Sequence, residues 1–286
     1  MKNILLAVIL LLTQISGLHA AQSIITETEN TACMGDDKSR KDTEQLAYKE
    51  ATRRAAEYAA TYIRSETRVK DSALESDLIS AYANAKVTVL QVLEKEWFKD
   101  QSSGDCYRIK LKVEVLPDEK SIAGFAEKTL ADDPAAPLNV KIWTDRKEYG
   151  KGQLVKVYLK SNKPFYGRVV YKDADGKLLQ LLPNPYRTEN YFNGGTVYEL
   201  PGNGDRYLLE VTPPFGSESV TVYASTAPLG EIETTASGGV FEIKTKPKDV
   251  AAGTRGVKVT AKGSGPAAIP AAAEFNESRT EVVTAR

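Results

Sequence analysis

Residues 107–115 read YRIKLKVEV. Tyr107, Ile109, Leu111, Val113 and Val115 alternate with Arg108, Lys110, Lys112 and Glu114. Successive side chains of a strand point to opposite faces. The pattern therefore predicts a strand with one buried and one wet face, in an antiparallel sheet that carries helices on one side. Ser102-Ser103-Gly104-Asp105 reads as the hairpin loop before it. The β-branched start of residues 87–98 (VTVLQVLEKEWF) supplies a strand on the other side of that loop.

Upstream, residues 23–34 (SIITETENTACM) predict a first strand, and Gly35-Asp36-Asp37 a turn. Ser39 or Asp42 is placed to cap a long helix. Ala47, Ala51, Ala55, Tyr58 and Tyr62 recur at helical spacing, a small-residue stripe that lets a helix lie close to a sheet. Lys49, Arg53, Arg54 and Glu57 fall off the stripe and form a solvated face. Residues 63–69 (IRSETRV) read as a strand, and Leu74, Leu78 and Tyr82 as the apolar side of a second, short helix. The fold class expected is α+β: a β-α-β-α-β-β sandwich domain over residues 21–117, followed by an all-β sandwich. Pro117 ends the first domain. Residues 118–137 form a linker, with a helical turn near Ile122–Leu130 and an extended Asp133-Pro134-Ala135-Ala136-Pro137.

From Leu138 the pattern is strands alone. The runs are 139–144, 154–160, 167–172, 178–182, 196–200, 207–212 and 219–225, separated by Gly, Pro, Asn and Asp clusters. Such spacing predicts a β-sandwich over 138–286. In the tail, strands are expected at 240–244, 256–260 and 280–285, a short helix at 247–255, and a low-complexity loop at 261–273.

Residues 1–20 have the form of a secretory signal peptide: Lys2, an apolar run Ile4–Leu12, and small Ala20 near the cleavage point. The protein is expected in the periplasm or secreted after cleavage near Ala20. The one histidine, His19, would leave with that peptide. Histidine-based triads and metal sites are then excluded from the mature chain. Cys33 and Cys106 are the two cysteines, and in an oxidising compartment an even count predicts a disulfide. Neither stands where a lipoprotein anchor needs one. Lys and Arg together number 38, as do Asp and Glu, so there is no cationic footprint for nucleic acid. After Leu12 no apolar run is long enough to span a bilayer.

Two resemblances add to this reading. Gly35-Asp36-Asp37, the Ala47, Ala51 and Ala55 spacing, the 63–69 run and the Tyr107 strand resemble the N-terminal domain of bacterial flagellar assembly protein T and related secreted lipoprotein-like domains. That pattern does not require the two cysteines. The second half resembles DUF4384, an uncharacterised bacterial β-sandwich family. The resemblance runs through Trp143-Thr144-Asp145, Tyr149-Gly150-Lys151-Gly152, Val169-Val170-Tyr171, Asp173-Ala174-Asp175-Gly176 and Leu181-Leu182-Pro183-Asn184. It continues through Gly194-Gly195-Thr196-Val197-Tyr198, Leu200-Pro201 and Val211-Thr212-Pro213-Pro214-Phe215-Gly216. It implies an accessory, interaction or sensing module, and no catalytic residue comes with it.

Asp173-x-Asp175 opens like a calcium loop, but the EF-hand glycine and final acid are replaced by Leu178 and Asn184, so a hairpin turn is expected. The long loop 183–195 carries Tyr186, Tyr191 and Phe192, which together with Trp143 are the candidate ligand- or partner-binding residues. They could equally fold back as a satellite core. Pro183 and Pro185 stiffen the start of the loop, and Gly194-Gly195 frees its end. No carboxylate pair is singled out by spacing. Asp145 with Glu148 and Asp36 with Asp37 are merely close in sequence. No catalytic residue, cofactor or metal is expected. The function expected is a secreted, non-enzymatic envelope protein that serves a surface or secretion assembly. The alternatives are a carbohydrate- or peptidoglycan-binding module and a histidine-free hydrolase with two carboxylates. The partner is an unknown envelope protein or glycan, with no nucleic acid, membrane span or lipid anchor.

Overall fold

The computed structural model describes residues 21–66, 72–118, 132–255 and 272–286. The first half begins with β1 (Ala21–Cys33), α1 (Arg40–Glu66), α2 (Ser72–Ala83), β2 (Lys86–Asp100) and β3 (Gly104–Leu116). Then come β4 (Val140–Thr144), β5 (Glu148–Gly150), β6 (Val157–Ser161), β7 (Phe165–Lys172), β8 (Leu178–Leu182), β9 (Tyr191–Phe192), β10 (Val197–Leu200) and β11 (Ser217–Ser225). The chain closes with β12 (Thr234–Ser237), β13 (Val240–Ile243), α3 (Pro247–Thr254) and β14 (Ala273–Ala285). The fold is α+β and strongly β-rich, and no described helix is long and apolar enough to cross a membrane. The expected signal peptide, the Ile122–Leu130 turn, the 256–260 strand and nearly all of the 261–273 loop lie outside the described residues.

Helix α1 starts on a reciprocal cap. The Asp42 amide donates to Ser39 Oγ at 3.2 Å, and the Ser39 amide donates to Asp42 Oδ2 at 3.2 Å. This capping box satisfies amides that have no partner within the helix. The predicted strand at 63–69 is corrected: residues 63–66 are the last turn of α1. Ala47, Ala51, Ala55 and Ala59 are 0% exposed, and Ile63 continues their four-residue period at 1%. Burial on the helix stripe overrides the β-preference of Ile63. The first half is therefore β-α-α-β-β. Alanine lets α1 come so close to the sheet that Thr28 Oγ1 donates to the Ala51 carbonyl at 2.9 Å.

Strands β2 and β3 form the predicted hairpin, and β1 pairs with the other edge of β3. Cys33 lies directly opposite Cys106 in that register, and the two form the predicted disulfide. The bridge joins facing residues of neighbouring strands, with Cα atoms 3.9 Å apart.

Among the described residues an 11-stranded sheet has the order β12-β13-β8-β7-β11-β14-β1-β3-β2, with β5 and β9 attached to β14 and β7. A second sheet, β10-β6-β4, packs against its C-terminal part. Strand β14 pairs with β1 on one side and with β11 on the other. The two halves read from the sequence are thus joined by more than the segment 118–137. One apolar core lies between α1, α2 and the β1–β3 face; a second lies between the two sheets. A third, with Val170, Tyr223, Val250 and Phe275, lies under α3.

Three further expectations change. Residues 133–137 are not extended but turn, with the Ala136 amide donating to the Asp133 carbonyl at 3.1 Å and Ala136 buried in the first core. Residues 207–212 do not form a strand; they make only the isolated bridge Leu154↔Glu210 and backbone bonds such as Val155 N–H to the Leu209 carbonyl at 2.8 Å. The outer face of β3 is not wet throughout. Lys112 and Glu114 are 3% exposed, and Arg255, just past α3, pairs with Glu114 at 2.8 Å.

Candidate functional site

The predicted aromatic site residues do not come together. Phe192, expected on a binding loop, is 0% exposed and belongs to the core between the sheets. Its ring stacks on Phe165 at 5.0 Å and meets the edge of Tyr198 at 4.9 Å. It is a core residue and is removed from the candidate site. Tyr191 is 45% exposed, but it follows the strand alternation to the opposite face, where it packs on Tyr166 at 5.1 Å. Tyr186 stacks on Tyr207 at 6.3 Å. Trp143 lies on the outer face of the three-stranded sheet, half-buried, with its ring 5.6 Å from Tyr158 and tilted by 17°.

The loop 183–195 is held along its length rather than freed at its end. Asn184 Oδ1 accepts from the amides of Tyr186 and Arg187 at 2.8 and 2.9 Å, and Asn184 Nδ2 donates to the Leu181 carbonyl at 2.7 Å. Arg187 pairs with Asp205 at 3.1 Å. At the far end, a Cβ on Gly194 would stand 2.6 Å from Lys163 Cα, so the backbones touch there and only glycine fits. The Asp173 segment is the predicted turn: Asp173 Oδ1 accepts from the Asp175 and Lys177 amides, and Gly176 has φ +85°. Of the paired acids, Asp145 is occupied locally. Burial pushes its carboxyl up, but the hydrogen bond from Tyr149 and the amide of Lys156 bring it below the usual range.

A concavity in the sandwich opens where residues 207–212 fail to complete a strand ladder. This cleft has a volume of about 280 Å³. Val157, Leu179, Leu181, Leu209, Val211 and Val220 supply its apolar walls. Leu208 stands at its mouth, 72% exposed, an unusual place for a large apolar side chain with an apolar hollow beside it. The cleft's polar side chains are Tyr171, Asp173, Glu210 and Thr212. The Tyr171 hydroxyl donates to buried Glu218, and burial, with that bond, pushes the phenol far above its ordinary value. Glu218 Oε1 has no hydrogen-bond partner among the described residues. The arrangement suits capture of an apolar group beside a few fixed polar atoms. Sequence reasoning missed it because YLLEVT (207–212) has strand composition, and composition does not say whether a ladder partner exists. Among the described residues, no group of three His, Cys, Asp or Glu is placed to hold a metal ion.

Residues 148–228 match the model of a family described as a domain of unknown function (DUF4384). The matched stretch runs from β5 through β11 and contains the 183–195 loop, Leu208 and most of the cleft wall. Trp143 lies just before it. No curated protein and no solved structure matches the chain.

Proposed function

We propose that the protein is a secreted, non-enzymatic envelope component that acts as a protein-interaction or accessory module of a surface or secretion assembly, released to the periplasm or exterior by cleavage near Ala20. The resemblance of the first half to flagellar assembly and lipoprotein-like domains belongs to the same proposal. The observation that carries it is Leu208, 72% exposed at the mouth of an apolar cleft inside the family-matched segment. An exposed apolar side chain continuous with an apolar hollow offers the kind of contiguous apolar surface that partner contacts cover. The disulfide suits an oxidising compartment.

The alternative, a glycan-binding module, rests on Trp143 and Tyr158, whose rings lie nearly parallel on the outer sheet face. Each ring turns one face to the other, which leaves less open π-surface for a sugar than two side-by-side rings would. The test uses the full oxidised chain as bait in envelope extract, with Leu208→Asp and Trp143→Ala as comparisons. Leu208→Asp should leave the melting temperature nearly unchanged, and Trp143→Ala should lower it without unfolding the chain at the assay temperature. Leu208→Asp should lose the captured protein while Trp143→Ala keeps it. Retention by Leu208→Asp rejects the cleft, and loss of bound glycan on Trp143→Ala alone would establish the alternative.

A further inference from the structure

A second cavity, of about 620 Å³, lies between β2–β3 and α3 with the segments that flank it. At its wall is Lys112, which is 3% exposed. Its neighbours on the same face of β3 are matched: Lys110 pairs with Glu27 at 2.9 Å, and Glu114 pairs with Arg255 at 2.8 Å and accepts from Ser23 Oγ at 2.6 Å. Glu27 faces Lys112 across the β1–β3 ladder, but Lys110 has taken it. Lys112 itself has no hydrogen bond or ion pair among the described residues. Burial pushes its ammonium down to about 8, against a smaller opposing pull from Glu27. A buried cation without a partner is costly, and a bound anion would remove that cost.

The rest of the cavity narrows the ligand. Leu90, Ile232 and Ala252 give it an apolar side. At its rim Glu231, Glu233 and Asp249 have no ion-pair partner among the described residues, whereas Lys244 is engaged by Glu242. Three unpaired acids beside exposed Lys246 repel a multiply charged anion and attract an ammonium group. We propose that this cavity binds a zwitterion with an apolar side chain, either a free amino acid or a dipeptide, with its carboxylate on Lys112 and its ammonium toward Glu231 and Glu233.

The test is calorimetric titration of the full oxidised chain with L-leucine, the dipeptide Leu-Leu, leucinamide, isovalerate and inorganic phosphate. Leucine or Leu-Leu should bind at one site, and which binds tighter tells the free amino acid from the peptide. Leucinamide, which lacks the carboxylate, should not bind. Lys112→Met should weaken binding roughly 10–150-fold, the worth of one charge-assisted hydrogen bond. The double change Glu231→Gln and Glu233→Gln, at exposed positions, should weaken leucine but not isovalerate. The proposal is overturned if neither leucine nor Leu-Leu binds at millimolar concentration, if phosphate or leucinamide binds as well as leucine does, or if the variants bind leucine undiminished.

Discussion

Replacing Phe192 with alanine separates a core role from a binding role for the 183–195 loop. Phe192 is 0% exposed, and it contacts Phe165 and Tyr198 at ring distances of 5.0 and 4.9 Å. The guanidinium of Arg187 also lies 5.6 Å from its ring. Truncating a buried phenylalanine removes its transfer free energy and leaves a cavity, together about 3–5 kcal/mol. The site cannot collapse easily. A Cβ at Gly167 would already stand 3.1 Å from the Phe192 ring, so the opposing backbone is in contact, but no side chain there can grow into the void. The upper part of the range is therefore expected. For a domain of this size that corresponds to a fall in melting temperature of roughly 6–20 °C. Tyr191→Ala, at a 45% exposed position, should cost about 1 kcal/mol or less. Thermal melts and urea titrations of the two single variants, with slopes compared to confirm that the unfolded state is unchanged, decide the matter. The assignment of Phe192 to the core fails if Phe192→Ala stays within about 1 kcal/mol of the parent while capture of the partner is lost.

Three other outcomes are expected. Replacing Cys33 and Cys106 together by serine should lower unfolding stability by about 4 kcal/mol, since the bridge closes a separation of 73 positions, and urea denaturation with and without reductant measures it. Lys112→Met should raise stability at pH 7 by up to about 3 kcal/mol. The folded-state value near 8 lies below the ordinary 10.5, so the charged lysine costs stability below pH 8, and the gain should fade as pH rises from 8 to 10.5. A gain that persists above that range would point to packing instead of charge. A protease site introduced within 119–131 should, once cut, leave one folded particle in gel filtration. The β1–β14 ladder and the 2.8 Å Arg255–Glu114 pair hold the pieces together, and release of two folded fragments would contradict the shared sheet.

What was legible in the sequence was periodicity. The alternation of 107–115 located β3, and its inward residues Ile109, Leu111, Val113 and Val115 are buried as read. The capping pair Ser39 and Asp42 was visible, although not that the two act on each other. The continuation of α1 was also legible, because Ala59 and Ile63 extend the four-residue period, although the β-branched composition of IRSETRV points the other way. What stayed hidden depended on distant partners. Lys112 and Glu114 read as wet because what lies over that face is distant in sequence: Arg255, which pairs with Glu114, comes more than a hundred residues later. The aromatic loop read as adaptable because its anchors, Asn184 with its three bonds and Asp205 with Arg187, are ordinary polar residues until their geometry is known.

The same distant pairing constrains how the two proposed sites can be probed. Strand β13 and the residues just before it contribute Gly238 and Val240 to the apolar cleft, and Lys244, directly after the strand, lines the Lys112 cavity. The strand is held by only two register pairs to β8 and by the short edge strand β12. A substitution in β12 or β13 would thus disturb both sites through a weakly paired edge, and a loss of binding there would assign neither. Leu208 and Lys112 avoid this. Leu208 lies outside the ladders and is mostly solvated, so its change alters the cleft mouth alone. Lys112 sits in β3, whose pairs with β1 and β2 run its full length, so removing its charge leaves the strand in place. If Leu208→Asp affects only partner capture and Lys112→Met only the zwitterion, the two sites are independent. Cross-effects between these two variants would instead mean that β13 transmits a change from one site to the other.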